Sequence, residues 1–446
     1  MLIYRFNGET RHARGNRTLN HHLKQGLFLS LFSATSIVAA FFFQWFVLGT
    51  LGAGAETDAF FASFTVPQLI LTMVSSSLMH VLVPVLAIQP EEKISQDAWT
   101  IFFVVFMLFS ALTTMLFLLA RFWVPVMFPG FKGPTLKLAI KLTRIQLFAL
   151  VLSAVNAVQW ASYHARQKFV WAEFVPMVSA LTSLVLLVWS LPRFGILAAA
   201  WLSLFRLVMQ TILLLPGMGT PRMPRFDTPI IRQTWKRLVP LLAGTTYYKT
   251  DPLVERMLLS MAPSGNLSLY YFAQQIYGAF CQVLNKAIAA PTVPQISNLY
   301  SKKALSPLKR LYFSRLTIVC SLGLVALLIV ALFGKHLLML FVVMGKFSPD
   351  NVVELWWILV TLGGFLLGGL LGQISSVAFY ACGDTKTPTK ISMVTYTIYI
   401  PCKVAGFFYW KTTGLALVTS VYYLANFLLQ FYVFRRRYLT NEQSDS

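Results

Sequence analysis

Apolar runs of about 20 residues follow one another along the whole chain, and short polar stretches separate them. A run of this length forms an α-helix of roughly 30 Å, which matches the hydrocarbon core of a bilayer. We therefore predict an all-α polytopic membrane protein. The pattern indicates twelve membrane-spanning helices, over residues 26–49, 59–88, 99–120, 138–163, 169–191, 195–217, 238–262, 268–297, 311–334, 352–380, 388–410 and 412–434.

The composition agrees with this prediction and excludes other classes of protein. The chain has 446 residues, of which 57% are hydrophobic and 12% charged, and its mean hydropathy is +0.66. Soluble globular proteins do not have such a composition. The net charge of +22 does not indicate nucleic-acid binding, because the cations lie mainly in short loops between apolar runs. The four cysteines lack the spacing of a metal site or a disulfide framework, so we predict no metal and no bound cofactor.

The charge of the loops alternates along the chain. The two termini and the loops after even-numbered spans contain 22 Lys and Arg, whereas the loops after odd-numbered spans contain seven. Loops rich in Lys and Arg stay on the cytoplasmic side of a membrane. The sequence therefore predicts that both termini are cytoplasmic.

The two halves of the chain resemble each other. AFFAS (59–63) and VPVLA (83–87) have counterparts 210 residues later, in LYYFA (269–273) and VPQIS (293–297). Because six spans separate the copies, both halves run in the same direction, as in parallel-repeat transporters. We predict a basic cytoplasmic tail, an N-terminal six-helix lobe, a basic cytoplasmic linker, a C-terminal six-helix lobe and a second cytoplasmic tail, over 1–25, 26–217, 218–237, 238–437 and 438–446.

The seventh predicted span carries four ionisable side chains and a proline near its centre, Lys249, Asp251, Pro252, Glu255 and Arg256. An ionisable group costs roughly 2.5–3.5 kcal/mol at the centre of a membrane helix, and such groups usually mark a transport pathway. At the helical repeat, Lys249 and Arg256 share one face, while Asp251 and Glu255 share another. Pro252 removes a backbone hydrogen bond, which predicts a hinge. Ion pairs that only hold the bundle together are the alternative interpretation.

Three segments are similar to one known family. GAGAETDAFFASFTVPQLI (52–70) resembles the first loop and second helix of the MurJ (MviN) family. FYACGDTKTPTKISMV (379–394) resembles the stretch between its helices ten and eleven, and LYYFAQQI (269–276) resembles its eighth helix. The similarity is collinear over most of residues 26–437. The chain is thus identified as a member of the MurJ branch of the multidrug/oligosaccharidyl-lipid/polysaccharide flippase superfamily.

The resemblance implies a two-lobed, V-shaped bundle in the bacterial inner membrane, with a central cavity lined by helices one, two, seven and eight. It implies a flippase that moves a polyprenyl diphosphate-linked saccharide, either lipid II or a related cell-envelope precursor, to the outer leaflet by alternating access. The driving force stays open between Na⁺, H⁺ and the membrane potential. Asp251 and Glu255 are the predicted site of a coupling cation or proton, beside the Pro252 hinge. Enzymes of envelope synthesis are the expected protein partners.

The chain departs from the family at the cavity. The family's essential arginines, in helices one, two and eight, correspond by our alignment to Ile37, Phe43, Leu71 and Gln275, none of which is cationic. We therefore predict that head-group binding has shifted to helix seven, with cations for the diphosphate and glutamines for the sugar. The predicted substrate-binding residues are Lys249, Arg256, Arg206, Lys286, Gln44, Gln68, Gln274 and Gln275.

Other functions explain parts of the pattern. A cation-coupled exporter of small solutes belongs to the same superfamily, but five deep cations against two deep acids favour an anionic substrate. A membrane enzyme needs paired carboxylates, a metal or a loop that carries a base, and the longest internal loop, about 218–237, holds one acid, Asp227. We predict no enzymatic activity. A non-transporting scaffold for envelope synthesis remains an alternative because the family arginines are missing.

Overall fold

The structure is a computed structural model of the chain, and it describes residues 6–225, 234, 247–342 and 346–440. These residues form helices joined by short turns, with no strand among them, which confirms the all-α class. In chain order the α-helices are α1 (Phe6–Leu51), α2 (Ala55–Ser63), α3 (Thr65–Ala87), α4 (Glu91–Met127), α5 (Gly133–Ala165), α6 (Phe169–Phe194), α7 (Ile196–Leu214), α8 (Asp251–Ser260), α9 (Asn266–Leu284), α10 (Ala290–Ser301), α11 (Leu305–Val342), α12 (Pro349–Thr361), α13 (Gly363–Ala381) and α14 (Lys386–Phe434).

Most predicted spans correspond to a single long helix. Within the described residues, eight stretches are long and apolar enough to cross a membrane, namely Phe28–Leu51, Lys93–Met127, Gly133–Ala165, Phe169–Phe194, Ile196–Met218, Leu305–Met339, Gly363–Ala381 and Lys386–Leu439. The last stretch contains two predicted spans, because the backbone of α14 leaves helical geometry at Trp410 and Lys411. The eight stretches therefore cover all or part of nine predicted spans and are consistent with a total of twelve. Of the tenth predicted span, 352–380, only Gly363–Ala381 is such a stretch, because the span is divided at Leu362 into α12 and α13.

The other three predicted spans are interrupted. The second is divided at Phe64 into α2 and α3, and the eighth is divided into α9 and α10 by a π-helical turn, Asn285–Ala289. Of the seventh, residues 247–249 are helical and α8 follows, whereas 235–246 lie outside the described residues. Most of the predicted linker 218–237 lies outside them as well.

The loops lie at two ends of the bundle, because consecutive spans run in opposite directions. One end, which we term the basic end, holds the loops at 88–90, 166–168, 302–304 and 382–385. The other, which we term the opposite end, holds the loops at 52–54, 128–132, 261–265 and 346–348. At the basic end Arg166 donates hydrogen bonds to Ser95 and to the carbonyl of Gly217, which ties three helices together. The placement of the basic end in the cytoplasm stays a prediction.

Helices α1–α7 pack together as one lobe, and α9–α14 pack together as a second. In the first lobe α5 contacts α2, α3, α4 and α7, while α1 lies along α6. In the second lobe α13 lies along α14 and contacts α10 and α11. Helix α8 contacts α3 of the first lobe and α14 of the second, so its charged residues stand between the lobes. The two-lobed architecture is confirmed, whereas the exact boundaries 26–217 and 238–437 remain predictions.

The described parts of the two tails continue the adjacent helices. Helix α1 begins at Phe6, so residues 6–25 of the predicted N-terminal tail are helical. After α14 the chain makes a π-helical turn, Arg435–Leu439, and residues 441–446 lie outside the described part.

Candidate functional site

Helix α8 and the short helical segment before it, 247–249, carry two charged pairs that face different neighbours. Arg256 faces α3, where its guanidinium donates hydrogen bonds to Thr65 Oγ1 at 2.8 Å and to Gln68 Oε1 at 3.3 Å. Lys249 faces the same helix, with its Nζ 3.4 Å from the carbonyl oxygen of Thr72. Asp251 and Glu255 face α14 instead. This is the division into two faces that the helical spacing predicts.

A polar cluster forms around Tyr271 of α9. The Arg256 guanidinium lies 4.7 Å from the centre of the Tyr271 ring, and only 6% of Arg256 is exposed. Arg206 of α7 approaches the same tyrosine, and Gln44 and Gln68 lie beside its hydroxyl. Five helices thus contribute to one cluster. It contains two cations, and burial of a cation inside a membrane protein costs free energy unless polar groups surround it. The structure brings together four predicted substrate-binding residues here.

Arg206 and Gln44 retain unused hydrogen-bonding capacity. Nε of Arg206 and Oε1 of Gln44 are both buried and have no hydrogen-bond partner among the described residues. A buried polar group without a partner is costly, and native proteins usually satisfy it with water, an ion or a ligand. An arginine whose guanidinium has an unused N–H group can donate hydrogen bonds to the oxygens of a phosphate.

Two cavities meet at Arg206. The larger has a volume of about 530 Å³, and its polar lining includes Ser36, Thr72, Asn156, Trp160, Arg206 and Gln210. The smaller, of about 60 Å³, is lined by Gln44, Ser183, Ser203 and Arg206 together with apolar side chains. Helix α5 runs from the opposite end to the basic end, and Asn156 and Trp160 lie in its last turns. The larger cavity therefore lies in the half of the bundle nearer the basic end.

Lys286 is placed by an irregular part of its helix. It lies in the π-helical turn between α9 and α10, and its Nζ donates a hydrogen bond to Ser33 of α1, in the other lobe. Single π turns frequently occur at functional sites. Gln274 and Gln275 are partly buried on α9 and line neither of the two cavities, so the structure does not bring them to the Arg206 cluster.

Asp251 and Glu255 share one partner, Lys403 of α14. Lys403 Nζ lies 2.7 Å from Asp251 Oδ1 and 2.8 Å from Glu255 Oε2, and the lysine side chain is 0% exposed. The hydroxyl of Tyr270 donates to Glu255 Oε2 at 3.4 Å. Lys403 is not among the site residues that the sequence predicts. The sequence shows Lys403 only as a cation in an apolar span with no acid near it in the chain. Its partners Asp251 and Glu255 lie about 150 residues earlier.

Pro252 lies in the first turn of α8, directly after a non-helical turn at Thr250. A proline is well tolerated there, because the amide groups of the first helical turn have no partner within the helix. The chain is thus interrupted beside Pro252, with residues 247–249 helical before the interruption. Whether the interruption acts as a hinge stays a prediction.

The two lobes are joined at the opposite end by Asp58, which the sequence did not indicate as a functional residue. Its carboxylate accepts hydrogen bonds from the backbone N–H of Gly265 at 2.6 Å, from the N–H of Ser268 at 2.8 Å and from Ser268 Oγ at 2.6 Å. These donors lie at the start of α9, where free N–H groups and the helix dipole favour an anion. Gly130 and Ser260 make a second contact between the lobes at this end.

The loop before α14 is held by Asp384, in the segment that resembles the family motif. Its carboxylate accepts hydrogen bonds from the N–H and hydroxyl of Thr387 and from Tyr438, and it pairs with Arg437 at 3.1 Å. Partial burial acts to raise the pKa of Asp384, but these hydrogen bonds and Arg437 outweigh it and lower the pKa below its usual value. The motif therefore connects the loop to the π-helical turn Arg435–Leu439.

Similarity to known proteins extends over most of the chain. The family model for the lipid II flippase MurJ matches residues 48–445. The chain belongs to the MurJ family. A relative of the same name, the probable lipid II flippase MurJ of Buchnera aphidicola subsp. Acyrthosiphon pisum, is 23% identical over 421 residues, which cover 91% of this chain and 82% of the relative. The lipid II flippase MurJ of Burkholderia cenocepacia is 22% identical and covers 92% of this chain and 83% of its own length.

Solved structures show the same fold. MurJ in an inward closed conformation superimposes with a TM-score of 0.79 at 16% identity, over 92% of this chain and 87% of that one. A multidrug resistance transporter of the MATE family, in an inward-facing conformation, gives a TM-score of 0.76 at 16% identity, over 92% and 96% of the two chains. The resemblance to the MurJ family is thereby confirmed. In this MurJ family member, no group of three or more His, Cys, Asp or Glu among the described residues could hold a metal ion.

Proposed function

We propose that this chain flips lipid II across the bacterial inner membrane, from the cytoplasmic to the outer leaflet, by alternating access. Membership in a family of lipid II flippases favours a lipid-linked precursor over a small solute and over a scaffold role. On this proposal the protein is a transporter and not an enzyme, and its partner is the lipid-linked saccharide within the bilayer.

The observation that carries the proposal is Arg206, which lines both cavities and whose Nε has no hydrogen-bond partner in the part of the chain that the structure describes. Arg256 of α8 approaches Tyr271 as Arg206 does. Lys249, just before α8, contacts Thr72, which lines the larger cavity. A diphosphate carries localised negative charge, and arginine binds phosphate oxygens with two parallel hydrogen bonds. We infer that the diphosphate binds at Arg206, with Arg256 and Lys249 supplying further positive charge.

The cavity suits the polar head group that follows the diphosphate. Its volume of about 530 Å³ falls within the usual range for ligand sites, which is roughly 300–1,000 Å³. Hydroxyl and amide side chains line it, including those of Ser36, Thr72, Asn156 and Gln210, and these groups can hydrogen-bond a sugar. The cavity lies toward the basic end, and the loop charges predict that this end is cytoplasmic. The arrangement therefore corresponds to a state ready to accept a head group from the inner leaflet.

Complementation of cells depleted of their own MurJ tests the substrate. Growth restored by this chain supports lipid II as the substrate. If the chain is expressed and inserted at normal levels but does not restore growth, another lipid-linked saccharide is indicated. Purified protein in liposomes gives a direct measurement, because a lipid II head group that has crossed becomes accessible to a modifying enzyme added on one side.

Arg206→Gln tests the site. Loss of one charge-assisted contact to the diphosphate costs about 1.5–3 kcal/mol, so transport should fall by roughly 10- to 100-fold. Arg193→Gln is the matched control, because Arg193 is exposed near the opposite end and lines neither cavity. Both variants should keep the expression level and thermal stability of the parent protein. Full activity of Arg206→Gln would show that the diphosphate binds elsewhere.

A further inference from the structure

The cluster of Lys403, Asp251 and Glu255 bears on how transport is driven. The two carboxylates were predicted to hold a coupling cation or a proton. Na⁺ is a hard cation that binds oxygen ligands, and the carboxylates would have to supply the negative charge of such a site. Whether Na⁺ can bind at this position therefore depends on the side chains that surround the two carboxylates.

The residues do not fit a free Na⁺ ion. Lys403 Nζ is within 2.8 Å of one oxygen of each carboxylate, which places a fixed positive charge between them. The same Nζ lies 4.9 Å from the centre of the Tyr399 ring, whose face also attracts a cation. A Na⁺ ion bound to Asp251 and Glu255 would lie close to this ammonium, and the two like charges would repel.

The surroundings hold the ammonium in place. Glu255 is 2% exposed, and Lys403 is among the most deeply buried side chains of the described residues. Hydroxyl groups complete the cluster, since Tyr399 and Tyr270 each hydrogen-bond to Thr419, at 2.8 Å and 3.2 Å. An ion pair in this environment is retained only when its hydrogen bonds are satisfied, because removing one partner leaves an uncompensated charge.

We propose that Lys403 is a tethered cation that replaces a coupling Na⁺ ion between Asp251 and Glu255. Its ammonium supplies the positive charge that the two carboxylates require. The chain therefore binds no Na⁺ at this position, and its transport does not depend on a Na⁺ gradient. Lys403 determines this property by holding the carboxylates, without contacting the substrate. The consequence for transport rests on the proposed function. The statement about ion binding does not, because Na⁺ binding can be measured without transport.

The test measures thermal unfolding of the full-length purified chain in detergent, followed by the fluorescence of its 11 tryptophans. NaCl is compared with choline chloride at the same ionic strength. The parent protein should show no Na⁺-specific shift in Tm. Lys403→Met leaves the two carboxylates without a cation, so about 100 mM Na⁺ should raise its Tm by several degrees through binding to the folded state. The triple variant Lys403→Met/Asp251→Asn/Glu255→Gln should lose this shift.

Two results would overturn the proposal. One is a Na⁺-specific rise in the Tm of the parent protein that Asp251→Asn abolishes. The other is a folded Lys403→Met protein that does not respond to Na⁺ at a pH where both carboxylates are ionised. If Lys403→Met cannot be recovered in either salt, binding of radioactive Na⁺ to the parent protein and to Asp251→Asn decides. Equal background binding supports the tethered cation, and stoichiometric binding lost in the variant refutes it.

A transport measurement separates this inference from the proposed function. Flipping of lipid II into liposomes should proceed at the same rate with and without a Na⁺ gradient. Absence of any flipping would count against the proposed substrate and would leave the result on ion binding unchanged. Flipping that requires a Na⁺ gradient in the parent protein would contradict the tethered cation while supporting the proposed function.

Discussion

Asp58 joins the two lobes at the opposite end, and its replacement should open that end. The carboxylate is 3% exposed and accepts three hydrogen bonds from Gly265 and Ser268 across the interface between the lobes. Asp58→Asn removes the negative charge and turns an NH₂ group toward a backbone donor. A hydrogen bond to a charged group contributes about 1.5–3 kcal/mol, whereas a neutral one contributes about 1 kcal/mol. The loss of one bond and the weakening of two others amounts to at least about 2.5 kcal/mol.

This energy enters the equilibrium between closed and open forms of the opposite end, because the bonds exist only when the lobes touch there. Each 1.4 kcal/mol changes an equilibrium tenfold, so about 2.5 kcal/mol shifts it by roughly 60-fold toward the open form, and a larger loss shifts it further. Spin labels on cysteines introduced at Glu56 and Met261, which are exposed on either side of the contact, report the separation. The distance distribution should shift to longer values in Asp58→Asn.

The control for this experiment is Asp350→Asn. Asp350 is also an acid in the first turn of a helix at the opposite end, but it is exposed and its carboxylate makes no hydrogen bond to the other lobe in the described part of the chain. The control should retain the distances of the parent protein. If Asp58→Asn and Asp58→Ala both retain them as well, the carboxylate does not hold the lobes together and the reasoning is wrong.

Two further predictions concern stability. Gly368 lies so close to α14 that a Cβ would overlap the backbone of Tyr423. Gly368→Ala should therefore lower the free energy of unfolding by about 1–3 kcal/mol, measured as a lower Tm. Gly369→Ala is the control, because its Cβ would lie 3.9 Å from the Tyr423 ring, which is an ordinary contact. The pKa of Asp384 is lowered, so this carboxylate binds a proton less readily in the folded protein than in the unfolded chain. Asp384 therefore stabilises the fold above about pH 4, and this stabilisation is lost as the pH falls toward the pKa of the folded protein. Asp384→Asn should lack this loss in a pH series of Tm values, and an unchanged acid limb would contradict the assignment.

The fold was largely predictable because each membrane span can be recognised from its own residues. Length and hydropathy are local properties, and the bias of Lys and Arg between alternate loops restricts the number of spans. The interruptions of the second and eighth spans were not predicted, because length and hydropathy alone do not show them. The second span breaks at Phe64, where the sequence does hold a cause: Pro67 lacks the N–H that would bond the carbonyl of Ser63, and its ring disfavours a continuous helix there. Gly364, Gly368 and Gly372 lie four residues apart in the tenth span, a spacing that indicates a close helix contact, and Gly364 and Gly368 make one with α14.

The partners of charged residues were the least predictable part of the site. The sequence showed that Asp251 and Glu255 lie on one face of a helix, and the helical repeat was sufficient for that. It could not show that Lys403 faces them, because this depends on how α8 and α14 pack. For the same reason Asp58 was overlooked, since its donors are backbone groups at the start of another helix and leave no signal in the side-chain pattern.

The contact between Asp58 and Ser268 also bears on the origin of the two lobes. AFFAS (59–63) and LYYFA (269–273) are matching segments of the repeat, so Asp58 and Ser268 occupy the same position in the two copies. A pair of identical subunits with aspartate at that position would bring two carboxylates together on the symmetry axis, where they repel. Joining the copies in one chain removes this restriction, because each half can change alone. The contact between α2 and α9 thus depends on the two halves carrying different side chains at this position, Asp58 and Ser268.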